Sequence, residues 1–519
     1  MNPSAESRPP LLSCGIEMEF LVQYMIEGGQ DHSSEDLPPV TMVPGYIKDR
    51  ASTMGEYMGN NFIANHIRAM IRQTLRDAGV AVEKGLNPPV DDKYAGFENL
   101  PVRRALRFKD WVIKSDSTVT KPSEGAYHYA GMELTTPSLD GTDANLAMVQ
   151  SVINLLNANY RITVNASCGL HVHVGNGVRG FDLRNMRRMT GFFYAADRTL
   201  AMLHPPLRRF SRWVLSIRDR SELACGMTAA QRAKPPDYCV PHCHDFIAVD
   251  VRHGEQPVIW RQMNNVKAVT EAFAETRKPG RYEPFQMLRT ELPAPYRYNV
   301  ANESQEARAL DGHGADVHRR AAMADTISDE GKYNSSRPRS LPRIAVRTFT
   351  PEDDEKFLEA ETKKLGYEPA PLADMAEVDL GTYHGLAEIF SAVSTCAIQQ
   401  LLIASLRPNY NIEPYACEML EFGEDQAPTL EFREATGSMD ARWVVAWAKI
   451  CCGLATWATH ASASEYLRVI AHCDRGQRGE IEYDVVDLLD EVGLIAESQV
   501  AEERLRDNVE SWGLRFLKE

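Results

Sequence analysis

Four stretches far apart in the chain share one pattern, an alternation of apolar and polar residues with period two. In Gly15-Ile16-Glu17-Met18-Glu19-Phe20, the residues Ile16, Met18 and Phe20 are set against Glu17 and Glu19. In Gly169-Leu170-His171-Val172-His173-Val174-Gly175 two imidazoles alternate with Leu170, Val172 and Val174. Thr429-Leu430-Glu431-Phe432-Arg433 repeats the pattern near the C-terminus, and Gly131 to Pro137 places Glu133 between Met132 and Leu134. Successive side chains of a strand point to opposite faces, so each stretch predicts a strand with one apolar and one polar face. If these strands pair in one sheet, their polar faces meet.

Helical periodicity fills much of the rest. Phe62, Ile63, Ile67, Met70, Ile71 and Leu75 predict an amphipathic helix over Asn61 to Ala78, with Gly79 as its stop. Asp140 or Thr142 can cap a helix through Leu146, Val149, Val152, Ile153 and Leu156, and Asp182 can cap one carrying Met186, Met189 and Phe192. Tyr383 to Leu406 predicts one long helix, and Asp440 caps another through Trp443, Trp447 and Trp457. Trp111 to Asp116 and Arg343 to Phe349 are short strand candidates. Glu27 to Asn60, Lys84 to Leu106 and Pro351 to Asp379 predict loops, and the tail from Glu480 predicts outer helices, acidic at first.

Residues 1–10 are expected to be disordered, 11–460 to form one catalytic domain with insertions, and 461–519 a C-terminal helical extension. Asn302 to Pro342 has almost no large apolar residues and predicts a mobile surface excursion that folding does not need. No repeat period is present.

Composition narrows the function classes. Apolar residues make up 44% and charged residues 25% of 519, as in globular proteins. Lys and Arg number 57 against 72 Asp and Glu, a formal charge of -15, which opposes general attraction to nucleic acid or an anionic membrane. Ten irregularly spaced cysteines do not make a disulfide framework. The N-terminus lacks a basic start followed by an apolar core, so a cytoplasmic protein is expected, with no membrane span. Cys239, His242, Cys243 and His244 invite a zinc reading, although their spacing fits no standard finger. Arg184, Arg187 and Arg188, and further on Arg208, Arg209 and Arg212, read as a solvated face or, for one or two such as Arg209, as contacts to a phosphate-bearing cofactor.

On the hypothetical shared face lie Glu17, Glu19, Glu133, His171, His173, Glu431 and Arg433. Carboxylates that close repel unless a multivalent cation neutralises them, and carboxylate oxygens favour Mg2+ or Mn2+, ions that accompany phosphates. Arg433 supplies a guanidinium fork suited to a phosphate. The set reads as metal-nucleotide phosphoryl transfer, with no G-x-x-x-x-G-K-[ST] loop anywhere to hold the phosphates. A metal enzyme without ATP, cupin-like, would use the two histidines and one glutamate but leave the other carboxylates and Arg433 idle. A non-catalytic member of the same fold is the third reading.

The blocks G-I-E-M-E-F, W-V-I-K-S-D, G-M-E-L-T-T-P, C-G-L-H-V-H-V-G and T-L-E-F-R-E-A-T-G-S-M-D, in that order, resemble the amidoligase family, carboxylate-amine ligases related to glutamine synthetase and glutamate-cysteine ligase. The resemblance implies an α+β fold: an antiparallel, partly closed sheet, glutamine synthetase-like, with helices on its outer face and ATP with two or more Mg2+ on its concave face. It implies amide formation from a small-molecule or peptide carboxylate and an amine through an acyl phosphate. By the motif match Glu17, Glu19, Glu133, His171 and Glu431 are metal ligands. His171 and His173 contact metal or phosphate, Arg433 serves the transferred phosphate, and Asp116 is an acidic residue near the site. The family places a strand with an asparagine shortly before T-L-E-F-R. Here Tyr298-Asn299 is the candidate, which would imply a large insertion before Glu431.

Overall fold

A computed structural model describes residues 12–32, 37–83, 109–116, 118–122, 127–176, 180–232, 337–346, 355–359, 369, 376, 378–404, 407–415 and 428–517. Residues 1–10, the 84–106 segment, most of the 351–379 segment, 302–336, Tyr298-Asn299 and the Cys239 to His244 cluster lie outside them.

The architecture is organised on one strand. β1 (Ser13–Ile26) is followed by β2 (Thr41–Val43), β3 (Val112–Ser115), β4 (His128–Thr135), β5 (Leu139–Asp140), β6 (Ile162–Thr163), β7 (Gly169–Gly175), β8 (Tyr410–Asn411) and β9 (Thr429–Thr436). The sheet runs β3-β4-β1-β7-β9-β8, antiparallel throughout, while β2 in parallel and β5 and β6 in antiparallel fashion add to β1. The antiparallel sheet of mixed helices and strands is the one expected. It is open, however: β3 and β8 end it, and among the described residues neither pairs with the other, where a partly closed sheet was expected.

Alternation sorts the faces. Ile16, Met18, Phe20 and Val22 of β1, Met132 and Leu134 of β4, Val172 and Val174 of β7 and Phe432 of β9 are all buried in one core with the helices. Helix α1 (Gly45–Ser52) and α2 (Glu56–Asp77) lie where a long loop was expected to reach Asn60. Gly79 then ends the second helix at φ 79, a conformation that costs glycine little. Thr142 caps α3 (Asp143–Asn159) and Asp182 caps α4 (Leu183–Leu200), each side chain accepting the amide three residues on. Phe193 of α4 meets Phe432 of β9 edge-on at 5.0 Å, which seats this helix against the sheet.

Three expectations change. α5 (Ile217–Arg220) and α6 (Ala229–Arg232) precede α7 (Thr382–Ser391) and α8 (Thr395–Leu402), which replace the single helix expected from Tyr383 to Leu406. The break falls at Ser394, whose hydroxyl accepts the Ala397 amide and starts a new helix. Arg187 and Arg188 are buried, not solvated. Arg187 donates to the Ala392 carbonyl and Arg188 to those of Ala458 and Ala461, so both satisfy carbonyls at helix C-termini.

The third concerns the tail. α9 (Ala441–His460) and α10 (Ala463–Gln477) are followed by α11 (Val485–Glu491) and α12 (Ile495–Asp507). Asp484, Asp487 and Asp490 are buried, and three arginines of a returning strap neutralise them. Arg337 meets Asp490 and Glu502, Arg339 grips Asp484 with both terminal nitrogens at 2.9 and 2.7 Å, and Arg343 meets Asp487. Residues 337–342, expected to be dispensable, are therefore clamped. The buried acid row could not be told from a solvated one without its arginines.

Candidate metal centre on the open face

The face of the sheet opposite the helix core carries the alternating polar residues. In the register Glu17 stands opposite His171, Glu19 opposite Glu133, and His173 opposite Glu431. Glu17, His171 and Glu431 each offer one ligand atom, all within 4.8 Å of one another. The His171 Nδ1 lies 3.5 Å from Glu17 Oε2 and 3.6 Å from Glu431 Oε1, and His173 Nε2 lies 3.6 Å from Glu17 Oε2. Glu19 Oε1 is 3.9 Å from His171 Nε2, while its Oε2 accepts the Gly169 amide at 2.7 Å. A Cβ at Gly169 would sit 2.4 Å from His171 Nε2, so a larger residue there would push the imidazole from its place. Strands spanning more than 400 residues of sequence thus converge as expected for these residues.

The electrostatics are those of a crowded acidic site. Burial pushes the Glu17 carboxyl up, but His171 and His173 outweigh it and hold the group well below the ordinary value. Burial likewise opposes the low value of Glu431, which His173, Arg433, His171 and the Asn411 amide secure. For His173 burial acts downward and Glu17 and Glu431 raise it above the usual value. Its buried Nε2 has no hydrogen-bond partner, while Nδ1 shares one with Thr429 Oγ1 at 3.1 Å. Two carboxylates, an imidazole and an orphaned ring nitrogen make a donor set that could hold a divalent cation.

Arg433 sits where β9 bulges. Between Leu170 and Val172 the register shifts by one, so Arg433 and Glu434 together oppose His171. Arg433 donates to Glu431 Oε1 through Nη1 and to the Trp213 carbonyl through Nε at 3.3 Å, which anchors a guanidinium that a plain strand would leave loose. Glu434 is directed instead to the buried Tyr410 hydroxyl, 3.0 Å from each oxygen, and burial lifts its carboxyl well above the usual value.

Two residues escaped the sequence reading. Asn411 of β8 donates to Glu431 Oε2 at 2.8 Å, so the asparagine strand beside T-L-E-F-R is Tyr410-Asn411 and no large insertion separates the two. Its signal, N-Y-N ahead of an apolar residue, was present but only two residues pair as a strand. Lys114 of β3 is the other: its Nζ donates to Glu133 Oε1 at 2.7 Å. Glu133 thus stands outside the three-ligand cluster, its carboxyl raised by burial and by Glu17 and eased by Lys114. Asp116 lies just past β3 with Oδ1 accepting from the amide and hydroxyl of Thr118. Arg209 is paired with Asp219 at 2.9 Å.

Residues 56–235 match the model of the family described as Amidoligase_2, putative amidoligase enzyme. The matched segment contains Asp116, Glu133, His171, His173 and Arg209 and supports the family resemblance that the motifs carry, and its description points to a ligase enzyme. No curated protein and no solved structure matches the chain. Among the described residues no helix is long and apolar enough to cross a membrane.

Proposed function

We propose that this chain, whose residues 56–235 carry the amidoligase match, is an ATP- and Mg2+-dependent carboxylate-amine ligase working through an acyl phosphate. The observation that supports it is the meeting of Glu17, His171 and Glu431 beside a braced Arg433 on one open sheet face. Glu17, His171 and Glu431 would hold the divalent ion, with His173 at its edge. The ion, when bound, supplies charge neutralisation to the phosphates.

The chain's own residues account for the rest. Asn411 and Arg433 grip the two oxygens of Glu431 and fix its orientation. Arg433 then offers its remaining N–H groups to the phosphoryl group in transfer. In the reaction a substrate carboxylate oxygen attacks the γ-phosphorus and ADP leaves. An amine nitrogen next attacks the carbonyl carbon, phosphate departs, and the amine gives up a proton to form the amide.

Calorimetry tests the reading. A non-hydrolysable ATP analogue is expected to bind at least tenfold more tightly with 5 mM Mg2+ than with chelator, and Glu17→Gln should abolish the difference. Equal affinity in the two conditions would refute the nucleotide role. Phosphate release from ATP is expected only when a carboxylate and an amine are supplied together.

A further inference from the structure

The carboxylates of the open face are divided into two groups by strand register. Glu17 and Glu431 converge with His171, whereas Glu133 lies one strand further out, directly opposite both Glu19 of β1 and Lys114 of β3. Lys114, Glu133 and Glu19 therefore form one rung across three strands, and residues opposite each other in a ladder hold their Cβ atoms about 5 Å apart. Lys114 reaches Glu133 at 2.7 Å, and Thr135 Oγ1 donates to the same oxygen at 3.0 Å. The backbone register places the two side chains next to each other.

We infer that Lys114 is a built-in cation that takes the place of a second divalent ion at Glu133. It acts as a positioning residue that leaves one metal site in the chain without nucleotide. The inference rests on the proposed metal centre and changes its count, since the resemblance implies two or more ions. A second ion at Glu133 would have to displace an ammonium already bound at hydrogen-bond distance. The Lys114 side chain is 45% exposed, so its Nζ keeps donors free to face the open side and an incoming anion.

The test counts ions. Mn2+ is titrated into the full chain without nucleotide, by calorimetry and by the loss of the free-Mn2+ paramagnetic resonance signal. Wild type is expected to bind one ion per chain, and Lys114→Arg one. Lys114→Met is expected to bind two, the added ion disappearing again in Lys114→Met/Glu133→Gln. Two ions in wild type, or one in a Lys114→Met chain whose thermal melt is unchanged, would overturn the inference and leave the metal centre standing. No ion in wild type would overturn the metal centre itself, and this inference with it.

Discussion

Replacing Arg433 by lysine is expected to slow amide-forming turnover roughly 30- to 1000-fold, a loss of about 2–4 kcal/mol of transition-state stabilisation. Lysine retains one charge but lacks the fork. It cannot hold Glu431 and the Trp213 carbonyl, as the guanidinium does, and still have a donor for the phosphate that the proposed reaction brings. The loss should fall on kcat, because the charge that the fork meets develops mainly in the transition state. Arg433 also orients Glu431, so Mn2+ affinity should fall by roughly 10- to 100-fold as well, and kcat is compared at saturating Mn2+. Initial-rate phosphate release with Mn2+ titration on the same sample separates the two. A variant with wild-type kcat would remove Arg433 from the chemistry.

The second large effect is on stability. Arg339→Met is expected to cost about 3–5 kcal/mol in urea unfolding, because Asp484 and Asp487 are buried and would lose the cation that bridges them. The pH dependence has a definite sign. Burial and the neighbouring Asp484 raise the Asp487 carboxyl above its ordinary value. A folded state with a raised carboxyl binds protons more readily than the unfolded chain, so its stability deficit shrinks as pH falls towards that value. The gap between Arg339→Met and wild type should accordingly narrow on acidification. A variant as stable as wild type at neutral pH would show the strap to be ornamental.

How far the sequence reading reached depends on which interactions are local. Period-two alternation marked β1, β4, β7 and β9, and Thr142, Asp182 and Asp440 marked helix starts, since each signal spans a few residues. Glu17, His171 and Glu431 could be proposed together because their strands all had one polar face. Partners set by register were not legible: nothing near Lys114 names Glu133, and nothing near Asn411 names Glu431. Charge runs misled for the same reason. Arg187 and Arg188 look solvated until the carbonyls they meet, more than 200 residues away, are in place. The bulge that turns Arg433 and Glu434 apart leaves no mark in the alternation of T-L-E-F-R.

The placement of β9 at the far end of the chain also has a consequence in time. β1, β4 and β7, with Glu17, Glu133 and His171, are all synthesised by residue 175, while Glu431 follows 256 residues later (431 minus 175). At about 5–20 residues per second the ribosome spends roughly ten seconds to a minute on that interval. Through it the nascent sheet presents β7 as an unpaired edge, the kind of edge that captures stray strands. The last strand delivered therefore covers that edge and supplies the third ligand in one event, so that an aborted chain carries a sheet but not a site.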